Sequence, residues 1–436
     1  MIFQKTKGIH IDGRKSMSKH LPMEEYFNPQ FVYIHLLKNI GPLKPVVEVG
    51  TVVKVGQIVA VREGFGEMNV HSSISGTVTA IKKVWHSSGK MVDALEIQND
   101  FQNTPDDSIQ PNKNADSLSR QQLIDLMKHA GLTGAGGAGF PTYVKYITKQ
   151  KIDTVIINAV ECEPYLTCDY SFIIEHPEKL LKGLKYFIKA ADAQKGVIVY
   201  KNYNKQIKEK LMAHIRNYSN IELLEVKDVY PAGWEKYIIE RVTGKTYDGL
   251  PSEIGVIVNN STTAIIFADV VEHNIPLISR PITITGEGIK EPRNFVVPIG
   301  TKVSDLVQKC GGYSENITPT EAYYIAGGPM TGKAILIDDL IVNDTLGAVI
   351  VKPVVNKLHP ECLGCGKCAD VCPVYLTPTE IKKALESKDN KLMEQLGADK
   401  CIMCGLCSYV CPSHVEITDA VVKAKDTIRN LKKVVK

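Results

Sequence analysis

The chain reads Cys362-Leu-Gly-Cys365-Gly-Lys-Cys368-Ala-Asp-Val-Cys372-Pro373 near its C-terminus and repeats the pattern as Cys401-Ile-Met-Cys404-Gly-Leu-Cys407-Ser-Tyr-Val-Cys411-Pro412. The two copies hold eight of its 11 cysteines. This C-x2-C-x2-C-x3-C-P spacing is typical of proteins that carry two 4Fe-4S clusters on cysteine thiolates. Structural zinc, the alternative, uses ligand pairs separated by a long loop, without a trailing proline. The pattern therefore predicts two 4Fe-4S clusters and a protein that moves single electrons.

Both runs resemble those of two-cluster ferredoxins, in which the fourth cysteine of each run binds the cluster of the other run. That resemblance implies a crossed assignment of the ligands. We expect one set to be Cys362, Cys365, Cys368 and Cys411, and the other to be Cys401, Cys404, Cys407 and Cys372.

Length, charge and cysteine usage narrow the class of protein. With 436 residues the chain is too long for one ordinary core, so several domains are expected. A formal net charge of +4 gives no reason to expect nucleic acid as a partner. The cysteines outside the two runs are odd in number, which favours a reducing compartment over disulfides (Cys162, Cys168 and Cys310). The N-terminus lacks a signal-peptide core, and no apolar stretch approaches the roughly 18 residues of a membrane span, so we expect a soluble or peripheral protein.

Residues 45–98 read as short β segments separated by glycines, beginning with Val46–Gly50. Their pattern resembles the small barrel of biotinyl and lipoyl carrier domains, which display a modifiable lysine at a hairpin tip. Here that tip reads Gly66-Glu-Met-Asn-Val-His71 and contains no lysine. The resemblance therefore implies a structural barrel and not a swinging arm.

The middle of the chain alternates strands and helices, which predicts a parallel, Rossmann-like α/β layer. A polar linker precedes a helix with Leu123, Ile124, Met127 and Ala130 on one face. The elements that follow are expected at Thr154–Ala159 (strand), Phe172–Ala191 (helix), Gly196–Tyr200 (strand), Lys205–Arg216 (helix) and Ile221–Val226 (strand).

The last third predicts a compact α+β module and then a mainly helical cluster domain. The module contains one helix, Lys302–Cys310, and the cluster domain two short ones, Thr379–Glu386 and Asp389–Leu396. The basic segment from Val421 to Lys436 is either a solvated helix face or a docking surface for a membrane or an acidic partner. The fold class is thus multidomain, α/β and α+β, with expected limits at 1–105 (barrel), 106–120 (linker), 121–279 (α/β), 280–350 (α+β) and 351–436 (clusters).

A glycine-rich loop, Gly131-Leu-Thr-Gly-Ala-Gly-Gly-Ala-Gly-Phe-Pro-Thr142, lies between the first helix and the first strand of the α/β layer. It contains a G-x-G-x-x-G match, but the ordinary dinucleotide fingerprint follows a strand and opens a helix, and neither holds here. Five glycines in so short a loop nevertheless exceed what a tight turn needs, and their exposed N–H groups suit a phosphate or a flavin ring. The loop is therefore expected to bind a ligand.

The loop resembles the flavin and NADH loop of the NADH-binding subunit of respiratory complex I, and Asn158-Ala-Val-Glu-Cys-Glu-Pro164 is similar to that family's Asn-Ala-Asp-Glu-Gly-Glu-Pro segment. The resemblance implies bound FMN and NADH and no catalytic acid or base. The cofactor-binding residues that it implies are Gly134, Gly136, Gly137, Gly139, Phe140, Lys145, Asn158, Glu161, Glu163, Asn260 and Thr263.

Particular roles follow from the same resemblance. Lys145 is expected to stabilise reduced, anionic FMN, because a cation near the flavin favours that form. Phe140 and Glu163 would contact the NADH. This sequence departs from the family at Val160, where an aspartate is usual, and at Gly233-Trp-Glu235, which only echoes a Gly-Glu-Glu segment.

The domain order resembles that of the RnfC family, one of the components of the Rnf ion-translocating electron-transport complexes. In that layout the α+β module is a soluble-ligand-binding, β-grasp domain, and Gly327-Gly-Pro-Met330 matches the family there. The resemblance implies an NADH dehydrogenase subunit that passes electrons between NADH, FMN and two 4Fe-4S clusters. Its partners would be membrane subunits of the complex, with peripheral association at the cytoplasmic face.

Two other functions stay open at this point. One is a related flavin and iron–sulfur reductase that serves a cobalamin or proline reductase system, although such chains usually open on the glycine loop. The other is an electron-relay adaptor that has lost its nucleotides and keeps only its clusters, which Val160 favours. Flavin content separates the adaptor from either enzyme.

Overall fold

A computed structural model describes residues 7–315, 317–354 and 361–434 of the chain. Buried apolar side chains form separate clusters in the barrel, the α/β layer, the α+β module and the C-terminal helices. Among the described residues, no helix is long and apolar enough to span a bilayer.

The N-terminal region is a small barrel built on a core of valine, isoleucine and leucine. One sheet has the strand order β2-β10-β9-β6, a second has β5-β7-β8, and β3 and β4 form a short hairpin. The strands are β1 (Met23–Glu25), β2 (Phe31–His35), β3 (Leu37–Lys38), β4 (Gly41–Pro42), β5 (Lys44–Pro45), β6 (Val52–Val53), β7 (Ile58–Arg62), β8 (Met68–His71), β9 (Gly76–Trp85) and β10 (Met91–Asn99).

The α/β layer has a four-stranded sheet in the order β13-β12-β11-β14, with every neighbouring pair parallel. Ligand sites in such sheets lie at the carboxyl ends of the strands. Its elements are α1 (Arg120–His129), β11 (Thr154–Ala159), α2 (Cys168–Glu175), α3 (Pro177–Ala191), β12 (Lys195–Lys201), α4 (Lys205–Met212), β13 (Ile221–Val226), α5 (Glu235–Thr243), β14 (Val256–Asn260) and α6 (Ser261–His273).

The α+β module contributes five strands to a six-stranded mixed sheet in the order β1-β16-β15-β19-β17-β18. The sixth strand, β1, comes from the N-terminal region and pairs in parallel with β16. The module's own elements are β15 (Ser279–Thr285), β16 (Arg293–Pro298), α7 (Val303–Lys309), β17 (Ala322–Ala326), β18 (Lys333–Ile335) and β19 (Ala348–Pro353).

The C-terminal domain packs short helices around the two cysteine runs. Its last helix, α12, buries Ile417, Val421, Ala424 and Ile428 against the rest of the domain. The basic segment after Val421 is therefore one face of a packed helix, and Lys436 lies outside the described residues. The helices are α8 (Lys367–Asp370), α9 (Pro378–Glu386), α10 (Asn390–Gln395), α11 (Leu406–Tyr409) and α12 (Ile417–Val434).

Two local predictions are wrong. The single helix expected at Phe172–Ala191 is two helices, α2 and α3, which meet at His176. The break follows from Pro177, which has no N–H and disfavours the helical conformation for the residue before it. Residues 46–50 are no strand either, because they form a turn closed by a hydrogen bond from the Thr51 N–H to the Glu48 carbonyl.

Acid is expected to loosen the barrel, because His35 and His71 are almost fully buried there. Burial is the main cause that lowers the pKa of each imidazole to about 3. In the unfolded chain, each of these imidazoles takes up a proton below the ordinary histidine pKa of about 6.5. In the folded barrel, neither imidazole is protonated until about pH 3. The free energy of unfolding should therefore fall as the pH is lowered across this window, by up to about 1.4 kcal/mol per pH unit for each histidine.

Urea unfolding at pH 7, 6 and 5 measures this dependence. A Trp234→Phe background leaves Trp85 of β9 as the fluorescent reporter, since the chain has 2 tryptophans. Adding His71→Gln should make the pH dependence shallower. If the free energy of unfolding depends on pH equally with and without His71, the lowered pKa of this histidine is contradicted.

Candidate functional site

The glycine loop begins at the end of α1 and leads back towards the sheet, and a hydrogen bond closes it. Ser119 and Gln122 cap the start of α1 through a reciprocal pair of hydrogen bonds, which fixes where the helix begins. At the far end Gly131 adopts a φ of +64°, which turns the chain out of the helix. The Gly134 N–H donates to the Phe140 carbonyl at 3.1 Å and closes the loop. As predicted, a helix precedes the glycines, so the site is not an ordinary dinucleotide fingerprint.

The N-terminus of α6 packs directly on this loop. Asn260 caps the helix by accepting from the N–H of Thr262 at 2.7 Å, and the Ala135 N–H donates to the Thr263 hydroxyl at 3.0 Å. A Cβ on Gly136 would lie 2.5 Å from Asn260 Nδ2, so only glycine permits this approach. The structure thus brings Gly134, Gly136, Asn260 and Thr263 together, with Gly136 and Gly137 exposed at the tip.

Lys145 and Asn158 lie at the strand ends beside the loop. Lys145 Nζ donates to the Val258 carbonyl at 2.7 Å, and burial lowers the pKa of this amine, opposed by the charge of Glu235. Asn158 is opposite Asn260 in the β11–β14 register and donates to the Gly233 carbonyl at 2.9 Å. The Gly233–Glu235 segment, expected only as an echo of the family pattern, therefore borders the site.

Asp169 is a site residue that the sequence did not single out. Its carboxylate accepts from Asn260 Nδ2 and from the Thr262 hydroxyl, both at 2.8 Å. It therefore holds the cap of α6 in the orientation that faces Gly136. It lies five residues after the family-like segment that ends at Pro164, and no local pattern reveals its role.

Three buried polar atoms have no hydrogen-bond partner among the described residues, one at the end of the glycine loop and two around the start of α6: Thr142 Oγ1, Asn259 Oδ1 and Ser261 Oγ. Buried polar groups without partners are costly and usually mark a missing ligand or water. Donors and acceptors of this kind at a helix N-terminus match the phosphate and ribityl end of FMN. The glycine tip beside them is exposed and accessible to a ligand. The residues present therefore fit FMN.

Glu161 forms a buried ion pair with Lys15, at 2.9 Å between Oε2 and Nζ, with side-chain exposures of 5% and 8%. Its other oxygen accepts from the Asp169 N–H at 3.0 Å. Burial raises the pKa of this carboxyl, and Lys15 opposes the rise. Lys15 comes from a far N-terminal segment, and for that reason the sequence did not reveal it.

Glu163 contacts a different element from the glycine loop. It accepts from the Met330 N–H at 3.1 Å and from the Thr331 hydroxyl at 2.5 Å. Burial raises the pKa of its carboxyl. A Cβ on Gly328 would fall within 2.2 Å of the carboxylate, so the family-like Gly327–Met330 segment serves to wrap this side chain.

The remaining predicted residues lie at the edges of the loop. Phe140 is partly exposed, and Gly139, with a φ of +62°, lies against Asn39 and Thr345. Val160, where the family has aspartate, is buried in the apolar cluster beneath α5.

The eight cysteines of the two runs line two separate cavities. Each cavity takes three cysteines from one run and one from the other, and this is the grouping predicted for the ligands. The first is lined by Cys362, Cys365, Cys368 and Cys411, and the second by Cys372, Cys401, Cys404 and Cys407.

The second cavity lies against the α/β layer. The Tyr230 hydroxyl donates to the Cys404 carbonyl at 2.7 Å, and a Cβ on Gly405 would be 2.5 Å from the Met330 carbonyl. Cys162, between the two glutamates of the site, shares an apolar cluster with Tyr230 and Cys404. The first cavity is at the surface, where Cys362 and Cys365 are exposed. One cysteine set is thus close to the glycine-loop domain and the other faces solvent.

Four protein families match successive parts of the chain. Residues 3–102 match the RnfC barrel sandwich hybrid domain and 127–268 the Nuo51 FMN-binding domain. Residues 281–334 match the SLBB domain, and residues 359–415 match a 4Fe-4S dicluster domain. The chain therefore carries an FMN-binding domain and a dicluster domain.

Curated relatives match most of the chain. The C subunit of the Na(+)-translocating ferredoxin:NAD(+) oxidoreductase complex of Acetobacterium woodii is 34% identical over 86% of this chain and 85% of its own. The corresponding subunit of the proton-translocating complex of Clostridium ljungdahlii is 34% identical over 85% and 82%. The C subunit of an ion-translocating oxidoreductase complex of Rhodobacter capsulatus is 31% identical over 88% and 75%.

Among solved structures, a chain of the NAD+-reducing [NiFe]-hydrogenase in the H2-reduced state is similar, with a TM-score of 0.50 and 17% identity. The match covers 73% of this chain and 64% of that one, which is less than two thirds of its length. At this identity the likeness concerns the fold alone.

Proposed function

The chain belongs to the RnfC family, the C subunits of ion-translocating ferredoxin:NAD(+) oxidoreductase complexes, and from this premise we propose that it is the NAD(H)-side electron-transfer subunit of a membrane-bound complex of the Rnf type. Electrons pass between NADH and two 4Fe-4S clusters through FMN. Reaction with ferredoxin and ion translocation take place elsewhere in the complex.

One observation carries the proposal: residues 230–233 contact both the glycine-loop site and the second cysteine cavity, because Asn158 donates to the Gly233 carbonyl and Tyr230 donates to the Cys404 carbonyl. Tyr230, which donates to the Cys404 carbonyl, follows β13, whose carboxyl end lies at the same edge of the sheet as Asn158. A nucleotide pocket joined to a cluster pocket is what a two-electron to one-electron converter requires. When bound, FMN supplies that conversion.

The residues of the chain bind and orient; none acts as an acid or base. We assign Gly134, Gly136 and Gly137 to the backbone cradle of FMN, and the start of α6 with Asn260 and Thr263 to its phosphate end. Lys145 places its amine at the strand ends, where it favours the anionic form of reduced flavin. Asn158 and Glu161 line the pocket, and Lys15 forms the buried ion pair that holds Glu161 in place. Gly139 shapes the loop, and Phe140 and Glu163 border the NADH side.

The two cysteine sets have different positions in the electron path. We propose that Cys372, Cys401, Cys404 and Cys407 hold the cluster on the flavin side, because that cavity abuts Tyr230 and Met330. The other set holds the cluster on the partner side, where Leu363 is 73% exposed. The partner would dock over the surface at the first cavity, around Cys362 and Cys365, with the basic face of α12 beside it.

The finer domain assignments belong to the proposal. We propose limits at 1–105, 106–120, 121–279, 280–350 and 351–436, with a Rossmann-like FMN and NADH layer and a β-grasp module. The four family matches fall within these limits. Strand β1 lies within the limits of the barrel, but it pairs with β16 of the α+β module.

Membrane subunits of the complex are the proposed partners, with peripheral association at the cytoplasmic face. The relatives are named as subunits of ion-translocating complexes, which supports this assignment. Thiolate clusters also suit a reducing compartment. The relatives include a Na(+)-translocating and a proton-translocating complex, each matched at 34% identity.

The two alternatives have less support. A cluster-only adaptor would have no use for a glycine cradle with three buried orphan polar atoms beside it. A cobalamin or proline reductase component would not account for RnfC relatives that match along most of the chain.

The purified protein should contain non-covalent FMN and about eight irons per chain, as two cubanes require. It should oxidise NADH with ferricyanide as acceptor, because flavin reduction needs no membrane partner. Iron, sulfide and flavin analysis after anaerobic purification, followed by the NADH–ferricyanide assay, tests this. Zinc in place of iron would contradict the cluster assignment, and a flavin-free protein with full iron would favour the adaptor.

A further inference from the structure

The barrel reaches the glycine loop at its entrance, its tip and its exit. At the entrance, Asn69 Nδ2 donates to the His129 carbonyl at 3.2 Å, and a Cβ on Gly131 would lie 2.2 Å from the Asn69 carbonyl. At the exit, a Cβ on Gly66 would lie 3.6 Å from the Pro141 side chain and 3.1 Å from that of Ile40. These contacts come from the hairpin between β7 and β8, the tip at which carrier barrels display their lysine.

The second barrel hairpin, between β3 and β4, holds the tip of the loop. Asn39 Nδ2 donates to the Ala138 carbonyl at 2.7 Å. A Cβ on Gly139 would lie 3.3 Å from that same nitrogen and 2.7 Å from Thr345 Cγ2. The back of the loop is therefore in close contact with protein, whereas Gly137 has no described atom within 4 Å of a Cβ.

A buried ion pair anchors this hairpin. Lys38 Nζ lies 2.8 Å from Asp344 Oδ2, with side-chain exposures of 10% and 6%. The same carboxylate accepts from the Thr133 hydroxyl at 2.7 Å. Asp344 thus joins the barrel, the glycine loop and the α+β module at one oxygen. Burial alone would raise the pKa of Asp344, but the charge of Lys38 and the hydrogen bonds from Lys38 and Thr133 outweigh it and lower the pKa of this carboxyl.

We propose that the barrel is a fixed brace for the glycine loop, and that Asn39, Lys38 and Asp344 are positioning residues for the bound flavin. They hold the loop from behind so that the exposed backbone of Gly136 and Gly137 is in place before the ligand arrives. This inference rests on the proposed FMN site, which it deepens by giving the N-terminal domain a role. A carrier tip without a lysine has become a support.

Asn39 provides the test, because it is exposed and its replacement leaves the core intact. Asn39→Ala removes a single hydrogen bond, the one to Ala138. FMN affinity should therefore fall about fivefold, the factor that corresponds to the net contribution of one hydrogen bond. Thermal unfolding and iron content should not change. The control is Asp93→Asn, which removes an exposed barrel ion pair with Lys83 on β9 and β10.

FMN titration of the deflavinated full-length protein gives the dissociation constants, and visible circular dichroism of the bound flavin reports its orientation. Weaker binding with an altered spectrum in Asn39→Ala alone supports the brace. Equal FMN affinity in wild type and Asn39→Ala would overturn it, and so would equal losses in Asn39→Ala and Asp93→Asn. Wild-type protein that binds no FMN would instead overturn the proposed flavin site itself. That outcome is distinguishable from the two that would overturn only the brace.

Discussion

Gly136→Val is expected to remove FMN from the protein and leave both 4Fe-4S clusters in place. A Cβ at this position would come within 2.5 Å of Asn260 Nδ2, which caps α6 and is held by Asp169. A valine therefore displaces the helix cap or moves the loop into the space of the ligand. The cysteine cavities lie in another domain and are not touched. NADH–ferricyanide activity should fall to background.

Gly137→Ala separates the two causes of such a loss. No described atom lies within 4 Å of a Cβ at this position, so alanine displaces nothing in the protein. Reduced FMN affinity in this variant would therefore report a collision with the ligand alone. Flavin and iron analysis measures both variants. A Gly136→Val protein that keeps its flavin and full NADH activity would exclude this loop as the site.

Cys411→Ser should disrupt the cluster whose other cysteines are Cys362, Cys365 and Cys368, although residue 411 belongs to the second run. The four side chains line one cavity, and Cys411 is its only cysteine from that run. Iron should fall from about eight towards about four per chain. The flavin and NADH–ferricyanide activity should persist, because the α/β layer is untouched. Transfer onward to the membrane partner should be abolished.

Cys372→Ser is the reciprocal variant. It should disrupt the cluster of Cys401, Cys404 and Cys407, with which Cys372 shares the second cavity. Electron paramagnetic resonance of the reduced proteins distinguishes the two clusters. NADH should no longer reduce the remaining cluster, whereas in Cys411→Ser it still should. If each variant loses the cluster of its own run, the crossed assignment is wrong.

Much of this architecture was readable from local sequence. Strands Thr154–Ala159 and Ile221–Val226 are found at the predicted bounds, because short apolar segments between helices favour buried strands of a parallel sheet. The break at Pro177 was missed, although the rule for proline sufficed to find it. Apolar residues continue on both sides of this proline, but its ring prevents a single helix from running through it.

The polar interior of the site was not readable in the same way. Lys15 and Glu161 form their ion pair across 146 residues of sequence, and Lys38 meets Asp344 across a still longer separation. Neither pair has a local pattern, since only the docking of whole domains brings the partners together. Asp169 was likewise hidden, because its role depends on the helix cap that it orients.

The sharing of cysteines between the two cavities has a consequence for how the protein is made. Neither set of four thiols is complete until the ribosome has synthesised the second cysteine run, which comes after the barrel and the α/β layer. Domains generally fold as units, N-terminal first, during synthesis. The barrel and the flavin layer should therefore be complete, and able to take up FMN, while the C-terminal domain still waits for its iron. Maturation in the cell is expected to proceed in that order, and iron starvation should accumulate a flavin-loaded, cluster-free form of the chain.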